Sequence, residues 1–380
     1  MKQMKNELIA MILAGGKGTR LQALTRKVAK PAVFFGGKYR IIDFVLSNCA
    51  NSGIRHVGVI TQYENGSLNN YVGSGKHWGL NGINSSTALL SPRQTEEGSA
   101  WYKGTADAIY ENIDYIDSLH PEYILILSGD HIYSTTYDAM LECHKRNEAD
   151  CTISVLEVPW EEASRFGILE TDETDRVTDF KEKPKQPKSN LASMGVYIFT
   201  WKVLRANLIR DAKDEKSGHD FGHDILPYML AHRRRVYAHR FKGYWKDVGT
   251  IGSLHQANMD LLDMDNPANN LLSSANRFPI YSEDNHSVPQ YIGKNAKVKG
   301  CLINQGAVIL GEVEKCVISS DVEVDEDAKC VASVLMPGAK IRKGATVQYA
   351  IIGPDAIVGK DAKVIGKPDA IVLYSGKGKI

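Results

Sequence analysis

The chain has 380 residues, a formal net charge of +1, 43% apolar and 24% charged residues. That length points to two domains and the composition to an ordinary globular protein; the balanced charge argues against bulk electrostatic nucleic-acid binding, though not against a local basic pocket. No apolar stretch is long enough for a signal peptide or a membrane span, and six cysteines without CxxC spacing read as reduced thiols of a cytoplasmic protein.

The run Leu8 to Ala14 reads as a buried first strand of a parallel sheet. It breaks into Gly15-Gly16-Lys17-Gly18, then Thr19 and Arg20. Glycines there allow close backbone approach and leave amides free for phosphate oxygens, and a guanidinium adds a planar fork of donors. A Walker A loop is excluded because Lys17 precedes Gly18, and a dinucleotide fingerprint because Leu21 stands at its third glycine. The stretch therefore predicts a polyphosphate cradle.

Apolar strands and helical patterns then alternate to about Asp263. Arg40 to Asn48 has helical spacing, His56 to Thr61 reads as a strand, and a helix opens after Gly104. Tyr123 to Ser128 is a strand running into Gly129-Asp130, and Cys151 to Val158 and Ala192 to Phe199 are further strands. The expected fold of residues 1–263 is α/β, a mostly parallel sheet with helices on both faces and its ligand beyond the strand ends. Residues 264–290, rich in Asn, Pro, Asp and Ser, read as a linker. Over 291–380 helical periodicity gives way to an imperfect six-residue rhythm, seen in Ile341 and Val347, and in Ile352, Val358 and Val364. A small residue stands two before several of these, as in Gly338-Ala-Lys-Ile341 and Asp361-Ala-Lys-Val364. This predicts a left-handed parallel β-helix suited to oligomerisation.

The chemistry-bearing segments are individually weak. Asp130 at a strand end suits a hard divalent cation, but a turn would use the same Gly-Asp pair. His131 reads as structural rather than as a ligand. Asp247, in Tyr244-Trp-Lys-Asp-Val-Gly249, reads equally as a second metal carboxylate or a helix cap, with Thr250 available as cap instead. Glu182 and Lys183 before Pro184 suit a sugar hydroxyl and a monoester phosphate, or a surface charge run. Ser193 and Lys30 stay equally open. Tyr102 would contact a base or ribose, with Gly104 allowing close approach, or would belong to an aromatic core.

Together the segments are more specific. Leu13 to Leu21, Ala29 to Val33, Phe35 to Phe44, Trp101 to Ala108, Ser128 to Tyr133, Glu182 to Pro184, Leu191 to Gly195, His219 to Gly222 and Tyr244 to Thr250 resemble, in order and wording, the bacterial glucose-1-phosphate adenylyltransferases (ADP-glucose pyrophosphorylases). The resemblance covers essentially the whole chain. It implies transfer of the adenylyl group of ATP to glucose 1-phosphate, giving ADP-glucose for glycogen synthesis and pyrophosphate. Gly15, Gly16, Thr19 and Arg20 would hold the ATP phosphates, and Asp130 and Asp247 would hold Mg2+. Lys183 would bind the sugar phosphate, with Glu182 and Ser193 on glucose hydroxyls. Gln94, Tyr102 and Gly104 would lie by the nucleotide, and Lys30 by the phosphates or at an effector site. The resemblance also implies an allosteric homotetramer, with a related regulatory subunit as a further partner.

Two departures stand out. Ser134-Thr135-Thr136 replaces the family's Lys, variable residue, Asp; and Val28 stands where effector-responsive members carry a basic residue, which speaks against activation by fructose 1,6-bisphosphate. The alternative reading is a catalytically silent regulatory subunit, which the presence of Arg20, Asp130, Lys183 and Asp247 opposes. Acyl transfer on the coil is disfavoured because no histidine follows His286.

Overall fold

The structure is a computed structural model that describes residues 7–16, 18–63, 65–92, 94–95, 98–99, 101–273 and 276–376. Leu8–Leu13 is a strand at the centre of a nine-stranded sheet. Parallel neighbours flank it: Tyr123–Ser128 on one side and His56–Ile60, then Ser86–Leu90, on the other. Beyond Tyr123–Ser128 the sheet continues antiparallel through Leu191–Thr200, which pairs with Cys151–Glu157 and touches the Gly167–Thr171 and Val177–Glu182 hairpin. Val236–Arg240 closes that edge, parallel to Cys151–Glu157.

Strand side chains alternate between faces, so a strand covered on both sides needs an unbroken apolar run. Ile9 and Met11 pack on one face with Ile109, Leu204 and Leu208 from the helices Thr105–Tyr110 and Trp201–Asp211. Ala10 and Ile12 pack on the other with Ile42, Val45 and Leu46 from the helix Ile41–Asn51. Leu13 pairs with Ser128 in register, and the Gly129 amide donates to the Leu13 carbonyl at 3.0 Å. The cradle and the Gly129-Asp130 turn therefore leave the sheet side by side.

Pro267–Leu272 forms a short 3-10 turn, and the chain reaches the coil through extended backbone. From Tyr291 three five-stranded parallel sheets wrap a parallel β-helix. Tyr291 pairs with Val308, Val308 with Glu323, Glu323 with Lys340 and Lys340 with Ile357, circuits of 17 or 15 residues. The buried series Val324, Cys330, Leu335, Ile341, Val347, Ile352, Val358, Val364 steps by six and five residues. One face is a residue short in the 17-residue circuits, and the 15-residue circuit is shorter still, which is why the six-residue rhythm reads as imperfect. The coil docks on the sheet domain through the helix Ile251–Asp260: Leu254 and Leu261 pack with Val317, Val334 and Ile351, and the His255 ring N–H donates to the Ala332 carbonyl at 2.8 Å.

Candidate active site

A cleft of about 300 Å3 opens over the strand ends, lined among others by Arg20, Asp130, Glu182, Lys183, Ser193 and Asp247. Residues spread over more than 200 positions of sequence meet there because most of them follow or end a strand, while Ser193 lies near the start of Leu191–Thr200. Asp130 follows Tyr123–Ser128. Asp247 ends the strand Trp245–Asp247, which pairs antiparallel with His131–Tyr133 so that Asp247 faces His131. Thr250, not Asp247, caps the following helix, its hydroxyl accepting from the Ser253 amide at 3.1 Å. The Asp247 carboxylate is thereby free for another role.

Lys30 fills that role's place. Its ammonium lies 2.7 Å from Asp130 Oδ2 and 3.1 Å from Asp247 Oδ1, and the residue is only 6% exposed. Burial works against its charge, yet the two carboxylates outweigh burial and hold its pKa above the usual lysine value. Burial likewise pushes Asp130 up, but His131, Lys30 and the Ser128 hydroxyl together hold it well below the usual carboxylate range. The sequence places Lys30 by the phosphates or at an effector site; here its ammonium is taken up by the two carboxylates. It is a buried internal cation clamping two remote acids.

One ligand atom from each of Asp130, His131 and Asp247 lies within 4.8 Å of the others. The donors are mostly carboxylate oxygens, and the ammonium already between them marks where positive charge is stabilised. This set fits a hard divalent cation. His131 Nδ1, buried, has no partner among the described residues, and its ring packs edge-on to Trp245 at 5.1 Å.

At the cradle, Gly16 is open, with nothing within 4 Å of where a Cβ would stand. Gly18 has φ +60, a conformation that favours glycine, and a Cβ there would meet Lys30 and Thr25 at 3.0 and 3.1 Å. Thr19 and Arg20 are exposed, and Arg20 pairs with no acid among the described residues. Lys17 lies outside the described residues. Gly15 abuts Gln62, whose side-chain amide donates to the Tyr102 carbonyl at 3.4 Å, so Tyr102 is tied to the cradle through its backbone. Its ring is half-buried against the core and its hydroxyl accepts from Asn112 at 3.3 Å. The Gln94 side chain lies outside the described residues. Gly104 is not a ligand-approach glycine: a Cβ there would collide with the backbone carbonyls of Gly218 and His219, so its smallness serves chain packing.

The far wall holds the sugar-phosphate candidates. Lys183 has φ +45 and a 63% exposed side chain that reaches Glu182 Oε1 at 2.9 Å. Ser193 Oγ accepts from the Gly195 amide at 3.2 Å and donates to the Tyr197 hydroxyl at 3.3 Å. Sequence reasoning assigned no role to Tyr197, Asp220, Arg165 or Phe166, all of which line the cleft. Asp220 is built in firmly: it accepts from Thr105 Oγ1 at 2.8 Å and from the Gly222 amide at 2.8 Å. A Cβ at Gly222 or Gly167 would meet Glu182 Oε2 at 2.7 Å, and these paired glycines around one carboxylate are the signal that went unused. Ser134 turns from the cleft: its hydroxyl donates to the Phe278 carbonyl at 2.9 Å, tying the loop after Asp130 to the segment that leads to the coil.

A strand-end cleft with a glycine cradle, its exposed arginine and two convergent aspartates defines a nucleotidyl transferase, and residues 9–264 match the nucleotidyl transferase family. Residues 286–370 match the GlmU-like C-terminal hexapeptide family. The glucose-1-phosphate adenylyltransferase of Bacillus mycoides (strain KBAB4) is 50% identical over 377 residues, 98% of this chain and 99% of that protein. The enzyme of the same name from Bacillus cereus (strain ATCC 10987 / NRS 248) is 49% identical over the same shares. The chain belongs to the glucose-1-phosphate adenylyltransferase family.

Proposed function

We propose that this protein transfers the adenylyl group of ATP to glucose 1-phosphate, forming ADP-glucose and pyrophosphate. The observation that carries this is the single cleft joining the cradle arginine, the aspartate pair and the Glu182–Lys183 wall in a chain 50% identical to glucose-1-phosphate adenylyltransferases over nearly its full length. The nucleophile is a phosphate oxygen, already anionic, so the site needs no general base. Alignment and charge neutralisation suffice.

In this reading the amides around Gly15 and Gly16 and the Thr19 hydroxyl hold the ATP phosphates, and Arg20 neutralises the departing pyrophosphate. Lys183 holds the sugar phosphate. Glu182, Ser193 and Asp220 take sugar hydroxyls, and Gln94 and Tyr102 are assigned to the adenine side. Asp130 and Asp247 would hold Mg2+, which when bound supplies positive charge to the reacting phosphates. Lys30 is a positioning residue that keeps the two carboxylates together. The protein would act in the cytoplasm, where these substrates are made. For association as a homotetramer the support is the exposed apolar first circuit of the coil, where Tyr291 and Ile292 are 59% and 43% exposed.

Pyrophosphate release measured with glucose 1-phosphate and each nucleoside triphosphate, with and without Mg2+, tests the assignment. Release confined to ATP with Mg2+ is expected. Silence with every nucleotide, relieved by a related subunit, would replace it with the regulatory reading.

A further inference from the structure

The coil carries a column of hydrogen-bonding side chains at one corner. Leu302 pairs with Val317, Val317 with Val334, and Val334 with Ile351. The residues just before each, Cys301, Cys316, Ser333 and Ala350, therefore stack on successive circuits. The stack has a repeated bonding rule. Cys301 Sγ donates to the Lys299 carbonyl at 3.4 Å, Cys316 Sγ to Glu314 at 3.3 Å and Ser333 Oγ to Val331 at 2.7 Å. Two of the three side chains also accept from the amide one circuit on: Cys316 N–H donates to Cys301 Sγ at 3.4 Å and Ala350 N–H to Ser333 Oγ at 3.2 Å.

Two thiols thus sit face to face on adjacent parallel circuits. Neighbouring strands lie about 4.8 Å apart, inside the roughly 4.4–6.8 Å separation of Cα atoms that a disulfide spans. Cys301 is half-buried at the column's outer end, whereas Cys316 and Cys330 are buried. The neighbouring Cys316 side chain is the largest influence pulling Cys301 down to about 7, against the opposing effect of burial, and the Cys316 amide that donates to Cys301 Sγ acts in the same direction. A partly ionised, accessible thiol beside a protected one is the arrangement of an attacking and a resolving cysteine.

We propose that Cys301 and Cys316 form a thiol-modification site, a dithiol on the coil that small disulfides convert reversibly to an intrachain disulfide. The Cys301 thiolate attacks one sulfur of the small disulfide, whose S–S bond breaks and releases one thiolate. Cys316 passes its proton to that thiolate and attacks the Cys301 sulfur, expelling the second small thiol. The balance is one protein dithiol and one small disulfide giving one protein disulfide and two small thiols. The other half-buried thiol, Cys143, lies on a helix with Asn147 for a partner and no second cysteine opposite it in register.

The test is peptide mapping of the reduced full-length chain after incubation with oxidised glutathione, digestion without reduction and alkylation. Trypsin cuts after Lys299, Lys315 and Lys329, which places Cys301, Cys316 and Cys330 in separate peptides. The expected result is a linked pair joining Cys301 to Cys316, loss of two of the six alkylatable thiols, and reversal by dithiothreitol. Cys316→Ser is expected to fold, because Ser333 already occupies the same position one circuit on, and to accumulate glutathione on Cys301 instead. Glutathione left on Cys301 of the unsubstituted chain, a link to Cys330, or reaction at Cys143 ahead of Cys301 would each overturn the proposal.

Discussion

The sheet domain and the coil handle charge in opposite ways. In the coil, charges stay outside and pair across circuits, as Glu323 does with Lys340 and Arg342 at 2.8 Å, while aliphatics repeat inside. In the sheet domain, charge is taken inside: Lys30 is buried between Asp130 and Asp247, and Asp43 is fully buried with its acid pushed up to about 7 by burial. Exposed pairs on a repeat cost little to keep and contribute little. Buried charge is costly and is retained where the field itself has a use. The contrast sets the buried charge at the strand ends, where the proposed adenylyl transfer lies, against a coil whose charges pair at its surface.

Four substitutions or titrations sharpen that contrast. The largest effect is expected from Asp130→Asn, which should lower turnover roughly a thousandfold while circular dichroism still shows a folded chain, its thermal midpoint lowered because Lys30 loses one of its two carboxylate partners. Turnover near the parent level would remove Asp130 from the metal site. Next is Lys30→Met, which leaves two carboxylates facing each other without their cation. It should cost about 3 kcal/mol, the low end for a broken buried pair because the Asp130 side chain keeps 30% exposure. Its melting temperature should become more sensitive to Mg2+ than the parent's, and an unchanged Mg2+ response would argue against a shared cation place.

In the coil, Ile341→Ala empties a fully buried position and should cost about 3 kcal/mol by denaturant unfolding, with turnover well below the transition unchanged. A matching loss of turnover would mean that the coil does more than scaffold. The smallest effect concerns His144, a fully buried ring that joins Thr152 and Thr200 across two strands at 2.9 and 3.1 Å. Burial lowers its pKa from 6.5 to about 4, so the unfolded chain takes up a proton before the folded one. Stability is therefore full above about pH 6.5 and is lost as pH falls toward 4, roughly 2 kcal/mol by pH 5. His144→Gln should flatten that slope in urea titrations at pH 5 and 7; an unaltered slope would assign it to other groups.

Much of this was legible in the sequence where the signal is local. The apolar runs of Leu8–Leu13 and Tyr123–Ser128 end in glycine turns, and the coil repeats. What escaped is non-local. Lys30 meets its acids across 100 and 217 residues, and no pattern within a few positions of Lys30 foretells that. Gly104 illustrates the converse error: a glycine beside an aromatic reads as an approach for ligand, but the neighbour that forbids a Cβ is backbone from Gly218 and His219. Ser134 to Thr136 read as a lost charge pair, and in the fold Ser134 holds the Phe278 carbonyl instead.

The most direct test of the central claim follows the phosphorus. Phosphorus NMR of ATP, glucose 1-phosphate and Mg2+ with the purified chain should show ADP-glucose and pyrophosphate appearing in equal amounts, and neither with Asp130→Asn. ATP consumed without ADP-glucose, or a sugar nucleotide formed equally well from UTP, would contradict it.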